Sequence, residues 1–202
     1  MKLFNYRINV LTFFIIAFVV YYSIQIYRES DVFQLKCIIS DVDGKKYCVR
    51  EKHDMERSAD LLAKTTVNLK KLVDKVGKEY PDKENVKRLV KGFDPKKVYE
   101  ILPTSEYTAY SENKGEKLAF CLTKSKHGDT LIEEDTLLFV GIHELAHIMT
   151  KSIGHHREFW ANFKFLLINA KKYGIHQPKD YKENPVTYCS MDITDNPYYD
   201  FK

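Results

Sequence analysis

The stretch from Gly141 to Trp160 reads GIHELAHIMTKSIGHHREFW and holds four of the chain's seven histidines. Two of them, His143 and His147, are four residues apart, so on an α-helix they lie on one face and both imidazoles can reach one metal ion. Glu144 stands beside the first histidine, where a carboxylate can take a proton from a metal-activated water. This His-Glu-x-x-His pattern predicts the helical zinc site of a hydrolase, most often a peptidase.

A catalytic zinc ion needs a third protein ligand and an open position for water, and the candidates follow a predicted helix end. Gly154 can reverse the chain there, because glycine adopts the conformations that end helices. His155 would then return to the metal face eight residues after the second histidine. His156 and the carboxylate of Glu158 are alternatives, and the spacing alone does not decide among the three.

Regular patterns around this stretch predict the rest of the fold. Apolar residues recur at three- and four-residue steps, which is typical of amphipathic helices. The predicted helices cover residues 51–79, 83–91, 134–152 and 157–173. Extended patterns on both sides of Asn113-Lys114-Gly115 predict a hairpin directly before the histidine-bearing helix. The last 28 residues, with three prolines, are expected to wrap the domain without regular structure. The sequence therefore predicts an α+β fold with helices packed on a small β-sheet.

The four cysteines are expected to form disulfides in an oxidising compartment. A four-residue loop at Asp41–Gly44 sets Cys37 opposite Cys48 across a predicted hairpin, a register that permits a cross-strand bridge. Cys121 and Cys189 would then pair by elimination, although four cysteines allow three connectivities. Four separate thiols in a reducing compartment are the alternative.

Residues 8–27 form an uncharged and mostly apolar run, which is long enough to span the hydrocarbon core of a bilayer as a helix. The run continues into Arg28 without a small-residue cleavage site, so we expect a retained signal anchor, with a cleaved signal peptide as the alternative. Lys2 and Arg7 precede it, and the positive-inside rule then keeps the tail of residues 1–7 in the cytosol. The sequence predicts a single-pass membrane protein whose catalytic domain lies outside the cytosol.

The net charge of +4 identifies no partner by itself. Eleven lysines and arginines fall between Lys64 and Lys97, against five acidic residues. No aromatic stacking pattern accompanies them, so the solvated faces of helices explain this charge better than a nucleic-acid site. We therefore expect a peptide or protein substrate, membrane contact through the N-terminal helix, and no nucleic-acid partner.

The segment HELAH at 143–147, followed by HHREFW at 155–160, resembles the minimal zincin domain of WLM-type and SprT-like metallopeptidases and their YgjP-type bacterial relatives. In that family a histidine stands four residues before a Phe or Phe-Trp ending. Matching Phe159-Trp160 to that ending implies Zn²⁺ as the cofactor, with the ligands His143, His147 and His155 and the general base Glu144. The resemblance covers residues 117–170. The whole soluble part also resembles uncharacterised metallopeptidases of large DNA viruses.

The resemblance implies an HExxH-type zinc metallopeptidase, in which Glu144 deprotonates a zinc-activated water that attacks the peptide bond. It also implies that the strand around Leu118–Leu122 is the edge strand along which a substrate binds. Trp160 is expected to anchor the helix behind the site. Three tail residues are candidates for a second hydrogen bond to the reacting oxygen, and packing or surface roles are the favoured alternative for each: Tyr188, His176 and Tyr181.

Two departures limit what the resemblance transfers. The spacer between the second and third histidines is longer than in the WLM and YgjP types, so His156 stays an alternative third ligand. A membrane span is foreign to the DNA-repair proteases of this group, so the resemblance extends to the active-site chemistry and not to the substrate.

The predicted organisation is, in chain order, a cytosolic tail (1–7), a transmembrane signal anchor (8–27), a β-hairpin (32–50) and a zincin-like metallopeptidase domain (51–202). Besides a cell membrane, the viral resemblance adds a virion membrane as a location. One alternative function is a catalytically inactive metallopeptidase-fold protein with a structural role in membrane or virion assembly, which the intact Glu144 disfavours. Another is a zinc hydrolase that acts on a non-peptide substrate, and no feature of the sequence separates it from a peptidase.

Overall fold

The computed structural model describes residues 10–30, 34–52 and 54–200 of the chain. These residues fall into two units, one that ends at Gln34 and one that begins at Leu35. The predicted cytosolic tail of residues 1–7 lies outside the described residues, as do the first two residues of the predicted membrane span.

The N-terminal unit contains one long helix, α1 (Val10–Glu29), built from the apolar run. Its segment Val10–Arg28 is long and apolar enough to cross a membrane. At about 1.5 Å per residue, such a helix extends about 30 Å, which is the thickness of a hydrocarbon core. Its large apolar side chains are exposed. By length and composition, α1 could be a membrane anchor or a signal sequence.

The second unit mixes helices and strands, which confirms the predicted α+β class. Its helices are α2 (Met55–Glu79), α3 (Glu84–Gly92), α4 (Glu134–Met149) and α5 (Arg157–Lys172). Its strands are β1 (Leu35–Ile39), β2 (Lys46–Arg50), β3 (Val98–Glu100), β4 (Ala109–Glu112), β5 (Lys117–Phe120), β6 (Val186–Tyr188) and β7 (Met191–Ile193). The four predicted helices start and end within four residues of these bounds.

The main sheet has five strands in the order β1-β2-β3-β5-β4. The outer pairs, β1 with β2 and β4 with β5, are antiparallel hairpins, whereas β3 runs parallel to both β2 and β5. Parallel neighbours need a long crossover, which α2 and α3 supply between β2 and β3. Residues 32 and 33 of the hairpin predicted at 32–50 lie outside the described residues. Because β2 pairs with β3, the described strands of that hairpin, β1 and β2, belong to the main sheet.

Helix α4 is the centre of the unit and contacts α2, α3 and α5. Gly141 lets α2 approach closely, since a Cβ atom there would lie 2.8 Å from a methyl carbon of Leu69. On the side of α5, the ring centroids of Phe139 and Phe163 are 5.2 Å apart. Most residues of α4 are buried, so its histidines project from a helix that its neighbours hold in place.

Two disulfides cross-link the second unit, one within a hairpin and one between distant segments. One joins Cys37 to Cys48, which are partners in the β1–β2 register. The other joins Cys121, directly after β5, to Cys189 in the tail. The prediction of an irregular tail was wrong at this point, because β6 and β7 pair as a short hairpin. Its turn residues Cys189 and Ser190 both have positive φ, 52° and 67°, and the usual Asn-Gly turn signal is absent from the sequence.

A buried ion network joins β2 to β3 and to the loop after β5. The Glu100 side chain is 0% exposed and accepts bonds from Arg50 Nε at 2.5 Å and Lys52 Nζ at 2.8 Å. The Arg50 guanidinium also donates to Thr123 Oγ1 at 3.1 Å and to the Lys126 carbonyl at 2.8 Å. One carboxylate therefore neutralises two cations in a poorly solvated place.

We expect Glu100→Gln to lower the free energy of unfolding by about 3–5 kcal/mol, because it leaves Arg50 and Lys52 without their buried counter-charge. Urea unfolding of the full chain in detergent, followed by Trp160 fluorescence, measures this change. The matched control is Glu84→Gln, which removes a fully exposed carboxylate paired with Lys87 and should leave the midpoint unchanged. Equal midpoints for the two variants would contradict the role given to Glu100.

Candidate metal centre

Three histidine side chains converge at the C-terminal end of α4 and in the loop after it. The Nε2 atoms of His143, His147 and His155 are 3.1–3.2 Å apart. The ring centroids are farther apart, 4.8–5.0 Å, so each ring points its Nε2 atom inwards. Among the described residues, these three form a group able to hold a metal ion.

Hydrogen bonding does not explain this arrangement. A nitrogen of a neutral imidazole is either a donor or an acceptor, so at least two of the three Nε2 atoms have the same role and face each other without a bond. A metal ion at the point of convergence removes that conflict. Two nitrogens at about 2.0–2.1 Å from a tetrahedral zinc ion lie about 3.3 Å apart, which is close to the observed separations. The donor set therefore fits zinc.

The surroundings keep the three imidazoles neutral, the form that binds metals. Burial, together with the neighbouring His147 and His155, lowers the pKa of His143 to about 3. Burial, His155 and Lys114 lower the pKa of His147 to about 4. Burial also lowers the pKa of His155. All three rings are therefore neutral at pH 7.

Glu144 follows the first of these histidines on α4 and is only 5% exposed. Its carboxylate lines the cleft beside the histidines and receives no hydrogen bond from the residues that the structure describes. Burial raises the pKa of this carboxyl to about 8. A carboxyl group with a raised pKa and no partner is suited to holding and releasing a proton near neutral pH.

The ring of Phe159, at the start of α5, packs against all three histidines. Its centroid lies 4.8 Å from that of His143, 4.4 Å from His147 and 4.6 Å from His155. Phe159 is fully buried, so it closes the inner side of the site to water. The prediction for Trp160 was wrong: this side chain is 37% exposed, lines the cleft and lies 5.8 Å from His155, so it is not behind the site.

The loop that returns His155 to α4 is fixed by a lysine from the β4–β5 turn. Gly154 adopts a φ of 86°, a left-handed conformation that favours glycine and reverses the chain. Lys114 Nζ donates to the carbonyls of His147 at 3.1 Å, Thr150 at 2.9 Å and Ser152 at 2.8 Å. The ammonium group thus satisfies carbonyls at the negative end of the helix dipole. No sequence pattern marks Lys114 for this role, because its contact with the loop depends on the tertiary fold.

The two alternative third ligands lie elsewhere. Glu158 Oε1 accepts from the backbone N–H of Lys151 at 3.2 Å and from Arg88 Nη2 at 3.1 Å, so it stabilises the loop and is not part of the histidine group. His156 is exposed and stands at the N-terminal cap of α5. The structure therefore places His155, and neither alternative, with the other two histidines.

A cleft of about 1300 Å³ opens beside the three histidines. It is lined by the segment Ser105–Lys114, by Met191–Asp195 of the tail, by the loop Ile153–His155 and by aromatic side chains that include Trp160. The first of these segments contains β4, which is an edge strand, whereas β5 lies between β3 and β4. The expected edge strand at Leu118–Leu122 was therefore wrong, because a hairpin pattern does not show which of its strands pairs again.

The structure also shows where the three candidates for a second hydrogen bond to a reacting oxygen lie relative to the cleft. Tyr188 lines the cleft, but its hydroxyl donates to the Thr108 carbonyl at 2.9 Å and accepts from the Cys121 N–H at 3.2 Å. His176 and Tyr181 are buried and do not line the cleft. The Tyr188 hydroxyl therefore fixes the tail to the sheet.

Comparison with known proteins relates the chain to viral proteins. An uncharacterised protein of Acanthamoeba polyphaga mimivirus is 26% identical over 161 residues, which cover 78% of this chain and 81% of that protein. Uncharacterised proteins of Invertebrate iridescent virus 6 and Invertebrate iridescent virus 3 are 32% identical over 75 residues and 33% identical over 83 residues. These matches cover 36% and 41% of this chain, and 40% and 50% of the relatives. No protein-family model and no solved structure matches the chain.

We expect His155→Ala to lose bound zinc and the adjacent His156→Ala to keep it, because only the His155 imidazole faces the other two. Mass spectrometry of zinc after dialysis of the full-length protein measures the stoichiometry, and circular dichroism checks that both variants are folded. Retention of zinc by His155→Ala together with its loss from His156→Ala would assign the third ligand to His156 instead.

We expect Lys114→Met to weaken zinc binding about tenfold, because groups that hold ligands in place typically affect metal affinity by about 10–100-fold. Competition with a chromophoric chelator measures the affinity. Lys96→Met is the matched control, since Lys96 is exposed and outside the cleft. Equal affinities for the two variants would show that the loop needs no support from Lys114.

Proposed function

We propose that this protein is a zinc-dependent metallopeptidase of the HExxH type. The observation that carries the proposal is the convergence of three neutral histidines beside an unpartnered buried carboxyl group in an open cleft. Zinc would be held by His143 and His147 of α4 and by His155 of the following loop, and the base residue Glu144 directly follows the first of these ligands on α4. When bound at such a site, zinc lowers the pKa of a water ligand to about 7 and polarises a carbonyl group.

The residues around the zinc site have separate roles in the proposed reaction. In its carboxylate form, which a zinc ion beside it would favour over the neutral form, Glu144 would accept a proton from the attacking water and deliver it to the leaving amine. No described residue occupies this carboxylate. Phe159 excludes water from the inner side of the ligand set, which strengthens the electrostatic interactions there. Lys114 keeps the ligand loop in place and is a positioning residue.

The shape of the cleft favours a polypeptide over a small molecule. Its volume of about 1300 Å³ exceeds the roughly 300–1,000 Å³ of a usual small-molecule pocket. The edge strand β4 lines it, and an edge strand has unpaired backbone N–H and C=O groups on one side. An extended peptide can bind there by adding a strand to the sheet. We propose that substrates lie along β4 in this way.

We further propose that α1 is a retained membrane anchor, which holds the peptidase at the outer side of a cellular or virion membrane. The exposed apolar surface of α1 supports membrane insertion, and two disulfides in the larger unit support an oxidising compartment. Carbonate extraction, followed by N-terminal sequencing of the membrane fraction, tests the anchor. Recovery of a soluble protein that begins after α1 would identify α1 as a cleaved signal sequence.

We expect Glu144→Gln to keep stoichiometric zinc and to lower peptide cleavage by about 10²–10⁴-fold, the usual contribution of a general base. The assay is mass spectrometry of a broad peptide library incubated with the full-length protein in detergent. Glu183→Gln is the control, since Glu183 is exposed and lies outside the cleft. A folded, zinc-loaded parent protein that cleaves no peptide in the library would exclude the peptidase and favour a structural role.

A further inference from the structure

We propose that the cleft selects polypeptide segments rich in lysine or arginine around an apolar residue. This inference rests on the proposed peptidase function, since it assigns the substrate class of the same site. Three observations support it. They are the charges of the residues that line the cleft, the ion pairs and hydrogen bonds that these residues already form, and the aromatic side chains among them.

Three exposed carboxylates lie in the cleft, and one of them, Glu112, is the register partner of Lys117 across the β4–β5 hairpin. Glu106 and Glu112 belong to the segment that contains β4, and Asp192 belongs to β7. None of the lysines and arginines in the described part of the chain forms an ion pair with them, and Asp192 accepts only a hydroxyl hydrogen bond, from Thr187 at 2.9 Å. A fourth carboxylate in the cleft, Asp195, already pairs with Lys182 at 3.3 Å.

The positively charged side chain that lines the described part of the cleft already has hydrogen-bond partners. Of the described residues that line it, Lys114 is the one lysine or arginine, and its ammonium donates to three backbone carbonyls. The chain as a whole has a net charge of +4. Away from the proposed zinc ion, whose positive charge acts at the histidines, the cleft is therefore acidic on a protein that is basic overall. This part of the cleft gives a potential that attracts cationic segments and repels acidic ones.

Independent of these carboxylates, two polar groups in the cleft lack partners. The Glu144 side chain is 5% exposed and has no hydrogen bond to a described residue. The Ser111 hydroxyl on β4 is buried and has no partner either. A buried polar group without a partner costs free energy. Glu144, which lines the cleft, therefore points to a ligand that enters the cleft and supplies polar contacts, as a peptide backbone does.

Aromatic side chains complete the match to basic segments. Tyr107 and Trp160 line the cleft with exposed rings, and Trp160 lies beside His155. Tyr110, whose ring centroid is 5.9 Å from that of Tyr107, already has the ammonium of Lys117 over its ring. Lysine and arginine carry long aliphatic stems that cover apolar surface, and their cationic ends bind over aromatic rings. Carboxylates next to exposed aromatic rings therefore recognise both parts of a basic side chain.

A binding experiment on the full-length Glu144→Gln protein, zinc-loaded and in detergent, tests the proposal without turnover. Trp160 is the single tryptophan of the chain and lines the cleft, so its fluorescence reports binding of peptides that lack tryptophan. The probes are two peptides with the same central Phe-Leu pair, flanked by lysines in one and by glutamates in the other. At low salt we expect the lysine peptide to bind at least about tenfold more tightly, from several exposed charge pairs.

Variants then locate the source of the preference. A triple variant, Glu106→Gln with Glu112→Gln and Asp192→Asn, should reduce the preference to less than about twofold, and Glu183→Gln, outside the cleft, should leave it unchanged. About 1 M salt, where the Debye length is about 3 Å, should have the same effect as the triple variant. Equal binding of the two peptides, or a preference that survives in the folded triple variant, would overturn the proposal.

Cleavage by the zinc-loaded parent protein separates this proposal from the proposed function. If the lysine peptide binds preferentially but no peptide is ever cleaved, the peptidase assignment fails and the charge selectivity stands. If both peptides are cleaved with equal kcat/KM, the peptidase stands and the selectivity fails. If both hold, the lysine peptide should be cleaved with a lower KM and a similar kcat, because flanking charges act on binding.

Discussion

The end of α4 sets the constraint on which the candidate site depends. The helix stops at Met149, and the chain must bring His155 back to its last two turns within six residues. Helix ends leave carbonyl groups without donors, and Lys114 supplies donors to three carbonyls in this region. One ammonium group therefore fixes the ligand loop to the turn of the β4–β5 hairpin, so the metal ligands and the edge strand are positioned together.

The cleft depends on contacts between distant parts of the sequence. Cys121 and Cys189 are 68 residues apart and joined by a disulfide, which places the β6–β7 hairpin beside the end of β5. Closing a loop of this length removes many conformations of the unfolded chain. The Tyr188 hydroxyl adds two hydrogen bonds to the same place. The Arg50–Glu100 ion network holds β2 to β3. The sheet from which the cleft is built is therefore stabilised both by a disulfide with added hydrogen bonds and by a buried ion network.

The proposed chemistry follows from a polar site on an apolar helix. Neighbouring helices bury most of α4, and Phe159 lies against the imidazoles, so Glu144 and the histidines titrate away from their usual pKa values. Perturbed groups grouped in a cleft are typical of functional sites. Similarity to viral proteins extends over most of the mimivirus relative, yet the relatives are uncharacterised. The functional proposal therefore rests on the geometry and chemistry of the site and not on the fold.

Local patterns in the sequence determined the helices, the two early hairpins, the apolar N-terminal run and the histidine pair that shares a helix face. Such patterns are readable because side chains three or four residues apart on a helix, or facing across a short turn, are fixed by backbone geometry. They also gave Glu144 its place beside the first histidine. The sequence without the resemblance left His155, His156 and Glu158 as equal candidates.

The tertiary structure decided what depends on distant contacts. It made β4 the edge strand, because β5 pairs in parallel with β3 through residues far away in the sequence. It placed Trp160 in the cleft, formed a hairpin in the tail and brought Lys114 to the end of α4. It also placed the His155 side chain with His143 and His147, whereas His156 and Glu158 are not part of that group. Periodicity reports contacts within a turn or a hairpin, whereas these placements depend on packing between elements that the sequence keeps apart.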